Sequence, residues 1–302
     1  MSDLRRQIGR LPKSDVHNHL HLGGSIKGLR EKYSHTNIDI PKHFNGLDGM
    51  IDFIYNKLSK IMLTSNDVIF FMENAIKSGI DDNVENLEAS VDINLTKFFD
   101  NSIEKLIDVV YELKRKYKSQ INFRPDIGIN KDCTMDKVYS DGLVCVNSGI
   151  FNGIDIYGKE YNRKLDGFVE IYNKARNKNL KTKVHIGEFS DHQTIEEAIL
   201  LLKPDEIQHG IMAANSENTM DMILNNNIQL NICTQSNISL GSVKNISEHP
   251  LRKLYDHGIK ITINTDDLLL FNATITDQFI DLIENSMFSL DEIESIRKNG
   301  FN

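Results

Sequence analysis

The feature that most restricts the fold is a regular alternation of short apolar strand patterns with helical patterns. Eight segments have strand character: residues 13–20, 86–93, 121–129, 153–157, 182–186, 206–209, 228–233 and 260–265. Strands that alternate with helices form parallel sheets, because each parallel neighbour needs a crossover connection. Eight such strands close a barrel, and 302 residues suit one domain of this class. The pattern therefore predicts an α/β fold, a (β/α)8 TIM barrel, in a single domain over residues 1–302.

The interval between the first two strands is unusually long. About 75 residues separate the ends of these strands, which is more than a crossover connection needs. Within it, Met50, Phe53, Ile54 and Leu58 recur at helical spacing. We interpret the surplus as extra helices inserted between strands 1 and 2, which form a lid over the mouth of the barrel.

A doubly wound open sheet is the competing architecture. It would place a glycine-rich phosphate loop after the first strand, and the chain contains no G-x-G-x-x-G motif. The segment 153–159 approaches a Walker A loop, but Glu160 stands where Ser or Thr would bind magnesium. The barrel is therefore the preferred prediction.

Charge and cysteine content narrow the classes of partner. The net charge is −8, and no basic run interleaved with aromatics is present, which disfavours binding to nucleic acid or an anionic membrane. The three cysteines are dispersed, as expected for reduced thiols. No apolar run reaches the roughly 18 residues of a membrane span, and no hydrophobic signal core follows Met1. We expect a cytoplasmic protein that acts on a small molecule, and a monomer is compatible with these numbers.

Side chains that can bind metals or transfer protons lie at the predicted carboxyl ends of four strands. They are His17, His19, His185, His209, Asp266 and Asp267. Because the carboxyl ends of barrel strands converge on one face, we expect these side chains to meet in space. Each of them alone also fits an ordinary role, such as a surface histidine or a helix-capping aspartate. Their joint position at strand ends favours a site.

The residue types at these strand ends suit a cation. In an extended segment alternate side chains share a face, so His17 and His19 point the same way. Three neutral imidazoles and one carboxylate suit Zn²⁺ and leave room for a water molecule, which the cation would turn into a nucleophile. We assign one Zn²⁺ per chain to His17, His19, His185 and Asp266. Glu188, three residues beyond His185, is a candidate proton shuttle, and His209 is a candidate for orienting the nucleophile.

Six segments together carry a resemblance to a known family. They are Asp15–Leu20, Gly153–Gly158, His185–Glu188, Ile207–Gly210, Ile232–Asn237 and Asn264–Asp267. In these residues and in their order, the chain resembles the adenosine deaminase family of the amidohydrolase superfamily. The resemblance implies the barrel fold and the same four zinc ligands. It also implies hydrolytic deamination of an aminopurine, such as adenosine to inosine and ammonia.

The resemblance further implies roles for single residues. Glu188 would protonate the purine ring nitrogen beside the carbon under attack, and His209 and Asp267 would position the hydroxide. Asp267 and the backbone of Gly158 would also contact the ring. The chain departs from the family at His21, where an aspartate commonly binds the ribose. We therefore treat His21 as a candidate sugar contact, and the identity of the aminopurine stays open.

Two other functions stay open at this point. One is another metal hydrolase of the amidohydrolase type, with a different aminopurine or a phosphoester as substrate. A binuclear site of that kind would need a bridging ligand on strand 4, where Asp155 is the residue available. The other is a catalytically silent protein that binds purines. The second zinc deaminase design and the zincin peptidases are excluded because no Cys-x-x-Cys and no His-Glu-x-x-His occur.

Overall fold

The computed structural model describes residues 3–34, 38–161 and 164–301, and its central feature is a sheet of eight parallel strands. The strands are β1 (Lys13–Asp15), β2 (Val84–Asp92), β3 (Asn122–Asn130), β4 (Gly153–Tyr157), β5 (Lys181–Ile186), β6 (Glu206–His209), β7 (Gln229–Ile232) and β8 (Ile261–Ile263). Their order in the sheet is their order in the sequence. Just beyond β8, the Asp266 amide donates to the His17 carbonyl at 2.9 Å, which joins the two edges. The predicted TIM barrel is confirmed.

Helices surround the barrel. They are α1 (Asp3–Gly9), α2 (Ile26–Lys32), α3 (Gly46–Asn56), α4 (Ser65–Asp81), α5 (Ile103–Tyr117), α6 (Met135–Asn147), α7 (Val169–Asn177), α8 (His192–Leu202), α9 (Glu217–Asn225), α10 (Thr234–Ser239), α11 (Leu251–Asp256), α12 (Leu268–Phe271), α13 (Ile275–Glu284) and α14 (Leu290–Asn299). The extra helices predicted between the first two strands are α2, α3 and α4. Helix α4 begins with a reciprocal capping box between Thr64 and Asp67. Within the described ranges, no helix is both long and apolar enough to cross a membrane.

The interior of the barrel is polar, whereas the apolar faces of the strands pack outward against the helices. Lys183 in β5 is fully buried, and its Nζ lies 2.5 Å from Glu88 Oε2 and 2.7 Å from Asp126 Oδ2. The same ammonium donates to the carbonyl of Val16 at 3.1 Å. A buried ammonium is stable only when such partners surround it. This network therefore ties β2, β3 and β5 to the segment that follows β1.

The first strand is shorter than the sequence pattern predicts. Its regular pairing covers Lys13–Asp15, whereas the pattern extends to Leu20. Beyond Asp15, Asn18 forms an isolated parallel bridge to Asp266. The Asp15 carboxylate also accepts a hydrogen bond from Asn18 Nδ2 at 3.2 Å. Side-chain contacts, in addition to ladder hydrogen bonds, therefore hold the segment that carries the first two histidines.

Candidate active site

The four residues predicted to bind a cation come together at the carboxyl ends of the strands. The Nε2 atoms of His17 and His19 lie 3.5 and 3.4 Å from Asp266 Oδ1. With His185, one ligand atom from each residue lies within 4.8 Å of every other, and all four residues are buried. Asp266 reaches this position with a positive φ of 57°, a strained conformation for a residue other than glycine. The predicted convergence is present in the structure.

Hydrogen bonds orient two of these imidazoles toward the common centre. His17 Nδ1 donates to the Asn231 carbonyl at 2.9 Å, and His185 Nδ1 donates to Asp155 Oδ1 at 3.1 Å. Each ring therefore directs the lone pair of Nε2 inward. Neither Nε2 atom has a hydrogen-bond partner among the described residues, although both are buried. Buried polar atoms are normally paired, so these two fit a cation as the missing partner.

The charge states of the histidines also suit a cation. Burial lowers the pKa of His19 to about 3 and also lowers the pKa of His185, so both rings are neutral ligands at pH 7. Burial opposes protonation of His17 as well, but the nearby Asp266 carboxylate outweighs it and raises the His17 pKa. A proton therefore competes with a cation for the pair formed by His17 and Asp266.

Cys233 offers a second grouping, with His17, His209 and Asp266. Its Sγ lies 3.3 Å from His17 Nδ1, the nitrogen that already donates to a carbonyl. Burial raises the pKa of the Cys233 thiol well above its usual range, and only a thiolate binds metals well. The grouping that contains His19 and His185 is therefore the better cation site.

Glu188 lies beside this centre with its carboxyl group in two contacts. Its Oε1 accepts from Asn237 Nδ2 at 2.7 Å, and its Oε2 lies 3.4 Å from His209 Nε2. Burial, and then the negative charges of Asp266 and Glu160, raise the Glu188 pKa well above its usual range. The raised pKa favours the protonated carboxyl group, which is the form that can donate a proton.

A second carboxylate holds the loop that carries Glu188. The buried side chain of Glu160 accepts from the backbone amides of Gly187 (2.8 Å), Ser190 (3.0 Å) and Glu188 (3.1 Å). A carboxylate enclosed by backbone N–H groups is strongly bound, because each hydrogen bond is charge-assisted. Glu160 therefore fixes the position of the Glu188 backbone.

Asp267 and His209 complete the predicted catalytic group. Burial, followed by repulsion from Asp266, raises the Asp267 pKa well above its usual range, which favours the protonated carboxyl group here as well. Its Oδ1 is buried, and none of the described residues gives it a hydrogen-bond partner. Burial lowers the pKa of His209 well below its usual value, so this ring is neutral.

Glu188, His209 and Asp267 line a cavity of about 600 Å³. Leu47, Met50 and Ile54 of α3 contribute apolar side chains to its lining, and His21 lines it as well. The Nδ1 atom of His21 is buried and unpaired within the part of the chain that the structure describes. Gly158 also lines the cavity, and residues other than glycine rarely adopt its φ of 100°.

A Cβ atom on Gly158 would also lie only 2.9 Å from Asn130 Oδ1. All of the predicted site residues except His17 line this cavity, and the buried His17 lies 3.5 Å from Asp266. Three contributors were not predicted as such. The sequence suggests Asp155 only as a bridging ligand, Glu160 only as a mismatch to a phosphate loop, and Asn237 only as part of a matching segment.

Comparisons with known proteins point in one direction. The family model described as "Adenosine deaminase" matches residues 12–302. A "Putative adenosine/adenine deaminase" of Treponema pallidum is 32% identical over 272 residues, covering 90% of this chain and 91% of that protein. An "Adenine deaminase" of Psychrobacter cryohalolentis is 26% identical over 97% of this chain and 92% of that protein.

Solved structures share the fold. An adenine deaminase from Arthrobacter aurescens has a TM-score of 0.84 at 19% identity, covering 96% of this chain and 92% of that one. The N6-methyl-AMP deaminase of Arabidopsis thaliana has a TM-score of 0.82 at 18% identity, with 97% and 91% covered. A Burkholderia ambifaria amidohydrolase, solved with bound Zn, has a TM-score of 0.81 at 17% identity, with 99% and 87% covered.

Proposed function

Since this chain belongs to the adenosine deaminase family of hydrolases, which act on carbon–nitrogen bonds of cyclic amidines, we propose that it deaminates an aminopurine. Adenosine is the first candidate, and the products would be inosine and ammonia. One observation carries the proposal. Two buried imidazole Nε2 atoms, which have no hydrogen-bond partner among the described residues, lie with Asp266 beside a cavity that Glu188 also lines.

The family is metal-dependent, and we propose that the cation is a single Zn²⁺ held by His17, His19, His185 and Asp266. Imidazole and carboxylate donors suit zinc, and the bound Zn of the Burkholderia ambifaria structure supports the choice. When bound, the cation would act as a Lewis acid that lowers the pKa of a water molecule.

Glu188 supplies the proton that makes the purine carbon reactive. Its protonated carboxyl group donates to the ring nitrogen beside the carbon that carries the amino group, and a proton from the attacking water restores the carboxyl form. The proton of the new hydroxyl group passes to the amino group, which leaves as ammonia. Protons therefore balance over one turnover, and no covalent enzyme intermediate is needed.

Polar groups on the cavity floor orient the base. The protonated carboxyl group of Asp267 can donate a hydrogen bond to the purine ring, and the backbone N–H of Gly158 can contact another ring nitrogen. We propose that His21 contacts the sugar, because its Nδ1 is buried and lacks a partner among the residues described. The apolar side chains of α3 would then cover the remaining face of the substrate.

The charges that line the cavity favour an uncharged sugar over a phosphate. Lys137 Nζ lies 2.5 Å from Asp141 Oδ2, and Lys159 Nζ lies 2.7 Å from Asp48 Oδ1. Both ammonium groups at the cavity are thus neutralised by neighbouring carboxylates. Asp92 also lines this part of the cavity and would repel a phosphate. We therefore rank a nucleoside above a nucleotide such as N6-methyl-AMP.

A substrate panel tests this proposal. Zinc-loaded protein is incubated with adenosine, deoxyadenosine, adenine, AMP and N6-methyl-AMP, and ammonia release is measured. We expect the highest kcat/KM with a nucleoside and loss of release in the Glu188→Gln variant. Exposed Glu197→Gln, on α8, is the matched control and should behave as wild type. Failure with every purine would refute the proposed function.

A further inference from the structure

A buried amide links two of the groups proposed to act on the substrate. Asn237 lies in α10 and is fully buried, and its Nδ2 donates to Glu188 Oε1 at 2.7 Å. The same nitrogen lies 3.2 Å from His209 Nδ1. On the other side, Asn237 Oδ1 lies 3.2 Å from His249 Nε2. One amide therefore contacts both catalytic candidates, Glu188 and His209, and a second histidine, His249.

A backbone amide decides which way this chain of hydrogen bonds runs. The N–H of Leu251 donates to His249 Nδ1 at 3.1 Å. Leu251 is the first residue of α11, where N–H groups have no partner within the helix. Burial lowers the pKa of His249 to about 4, so its ring is neutral at pH 7 and carries one proton. That proton lies on Nε2, because Nδ1 is the acceptor.

The direction of the Asn237 amide follows from this. His249 Nε2–H needs an acceptor, and only Oδ1 of the Asn237 side chain can accept. The reversed amide would set two donors against each other at 3.2 Å. The Nδ2 group of Asn237 therefore faces His209 Nδ1, which must accept a hydrogen bond. A ring nitrogen that accepts a hydrogen bond carries no proton, so the proton of His209 lies on Nε2, which is 3.4 Å from Glu188 Oε2 and 3.9 Å from Asp266 Oδ2.

We propose that His249 is a positioning residue that acts through Asn237 to fix His209 as the tautomer with hydrogen on Nε2. His209 then donates a hydrogen bond to the oxygen that attacks the substrate and does not take its proton. The catalytic consequence rests on the proposed deaminase function. The tautomer itself is a property of the folded protein and can be measured without any turnover.

Nitrogen NMR tests the tautomer directly. Zinc-loaded protein with ¹⁵N-labelled histidine is studied by long-range proton–nitrogen correlation, which separates protonated from unprotonated ring nitrogens. His209 is assigned by its loss in His209→Gln. We expect a protonated Nε2 and an unprotonated Nδ1 in the wild-type protein. A proton on His209 Nδ1 would overturn the inference, whatever the variants do.

Substitution of His249 tests its part in this arrangement. His249→Phe fills the ring volume without a donor, so His209 should also populate the other tautomer, and kcat should fall by about 10- to 100-fold, as when an outer partner of a site is removed. His249→Gln restores a donor and should recover both properties. His257→Phe is the matched control, since His257 contacts Asp221 at 2.8 Å on the surface.

The outcomes separate this inference from the proposed function. If His249→Phe folds and keeps both the His209 tautomer and kcat, the role of His249 is refuted while the deaminase function stands. If the wild-type protein shows the expected tautomer and His249→Phe changes it, the inference stands even when no purine is deaminated. In that case only the proposed function fails.

Discussion

Replacement of Asp155 tests the cation site through a residue that does not bind the cation. Asp155 is 1% exposed, and its Oδ1 accepts from His185 Nδ1 at 3.1 Å. The Ser90 hydroxyl donates to its other oxygen. Burial alone would raise the Asp155 pKa, but His185 outweighs it and holds that pKa well below the usual range. The carboxylate therefore fixes the ring and strengthens Nε2 as a donor to the cation.

The size of the effect follows from the hydrogen bond that is changed. Partners that orient metal-binding histidines contribute about 10- to 100-fold in metal affinity, which is about 1.4–2.7 kcal/mol. Asp155→Asn keeps the shape and one acceptor but loses the charge, so we expect about a tenfold weaker Kd for zinc. Asp155→Leu also leaves the His185 N–H without an acceptor, so we expect a loss of about 100-fold.

Competition with a chromophoric chelator measures these affinities. The Kd for zinc is determined for wild type, both Asp155 variants and Asp136→Asn, an exposed control on α6. Wild type and Asp136→Asn should bind zinc most tightly, Asp155→Asn more weakly, and Asp155→Leu most weakly. Folded Asp155 variants that bind zinc within about twofold of wild type would refute the assigned role of His185 as an oriented ligand.

Four further outcomes are expected. Glu188→Gln should keep zinc but lose about 10²- to 10⁴-fold in kcat. Because burial raises the pKa of Glu188 in the folded protein, the stability that its proton contributes is present below the unfolded pKa and is lost as the pH rises. The urea stability of Glu188→Gln should therefore exceed that of wild type by more at pH 8 than at pH 5. An equal difference in stability at the two pH values would contradict this expectation. Lys183→Met should lower the free energy of unfolding by about 3–5 kcal/mol. The exposed control Lys178→Met should lower it by about 0.5 kcal/mol or less. A loss below about 1 kcal/mol for Lys183→Met would show that the ion pairs of Lys183 are dispensable. Chelation should abolish ammonia release, and stoichiometric zinc should restore it; full activity after chelation would remove the cation from the mechanism.

Barrel geometry explains why much of the site could be predicted from the sequence. The alternation of strands and helices indicates a parallel barrel, and in a barrel the carboxyl ends of strands converge however far apart they lie in the chain. His17 and His185 could therefore be grouped with Asp266 without any contact information. The type of each side chain then indicated its chemistry.

The remaining features depend on packing that sequence patterns do not encode. Asp155 looks like one polar residue in an apolar strand, and only the adjacency of β4 and β5 shows that it contacts His185. Glu160 follows Gly158 and Lys159 at the end of a segment that resembles a phosphate loop, yet its partners are backbone amides of a loop that begins 27 residues later. His249 Nε2 lies 3.2 Å from Asn237 Oδ1 although 12 residues separate the two in the chain, and no motif marks His249.

The most direct test of the account is the location of zinc in crystals of the loaded protein. Diffraction data collected on either side of the zinc absorption edge give an anomalous difference map. The account predicts one peak per chain, about 2.0–2.2 Å from the Nε2 atoms of His17, His19 and His185 and from an Asp266 carboxylate oxygen. Two peaks per chain, or a single peak that these four side chains do not surround, would contradict it.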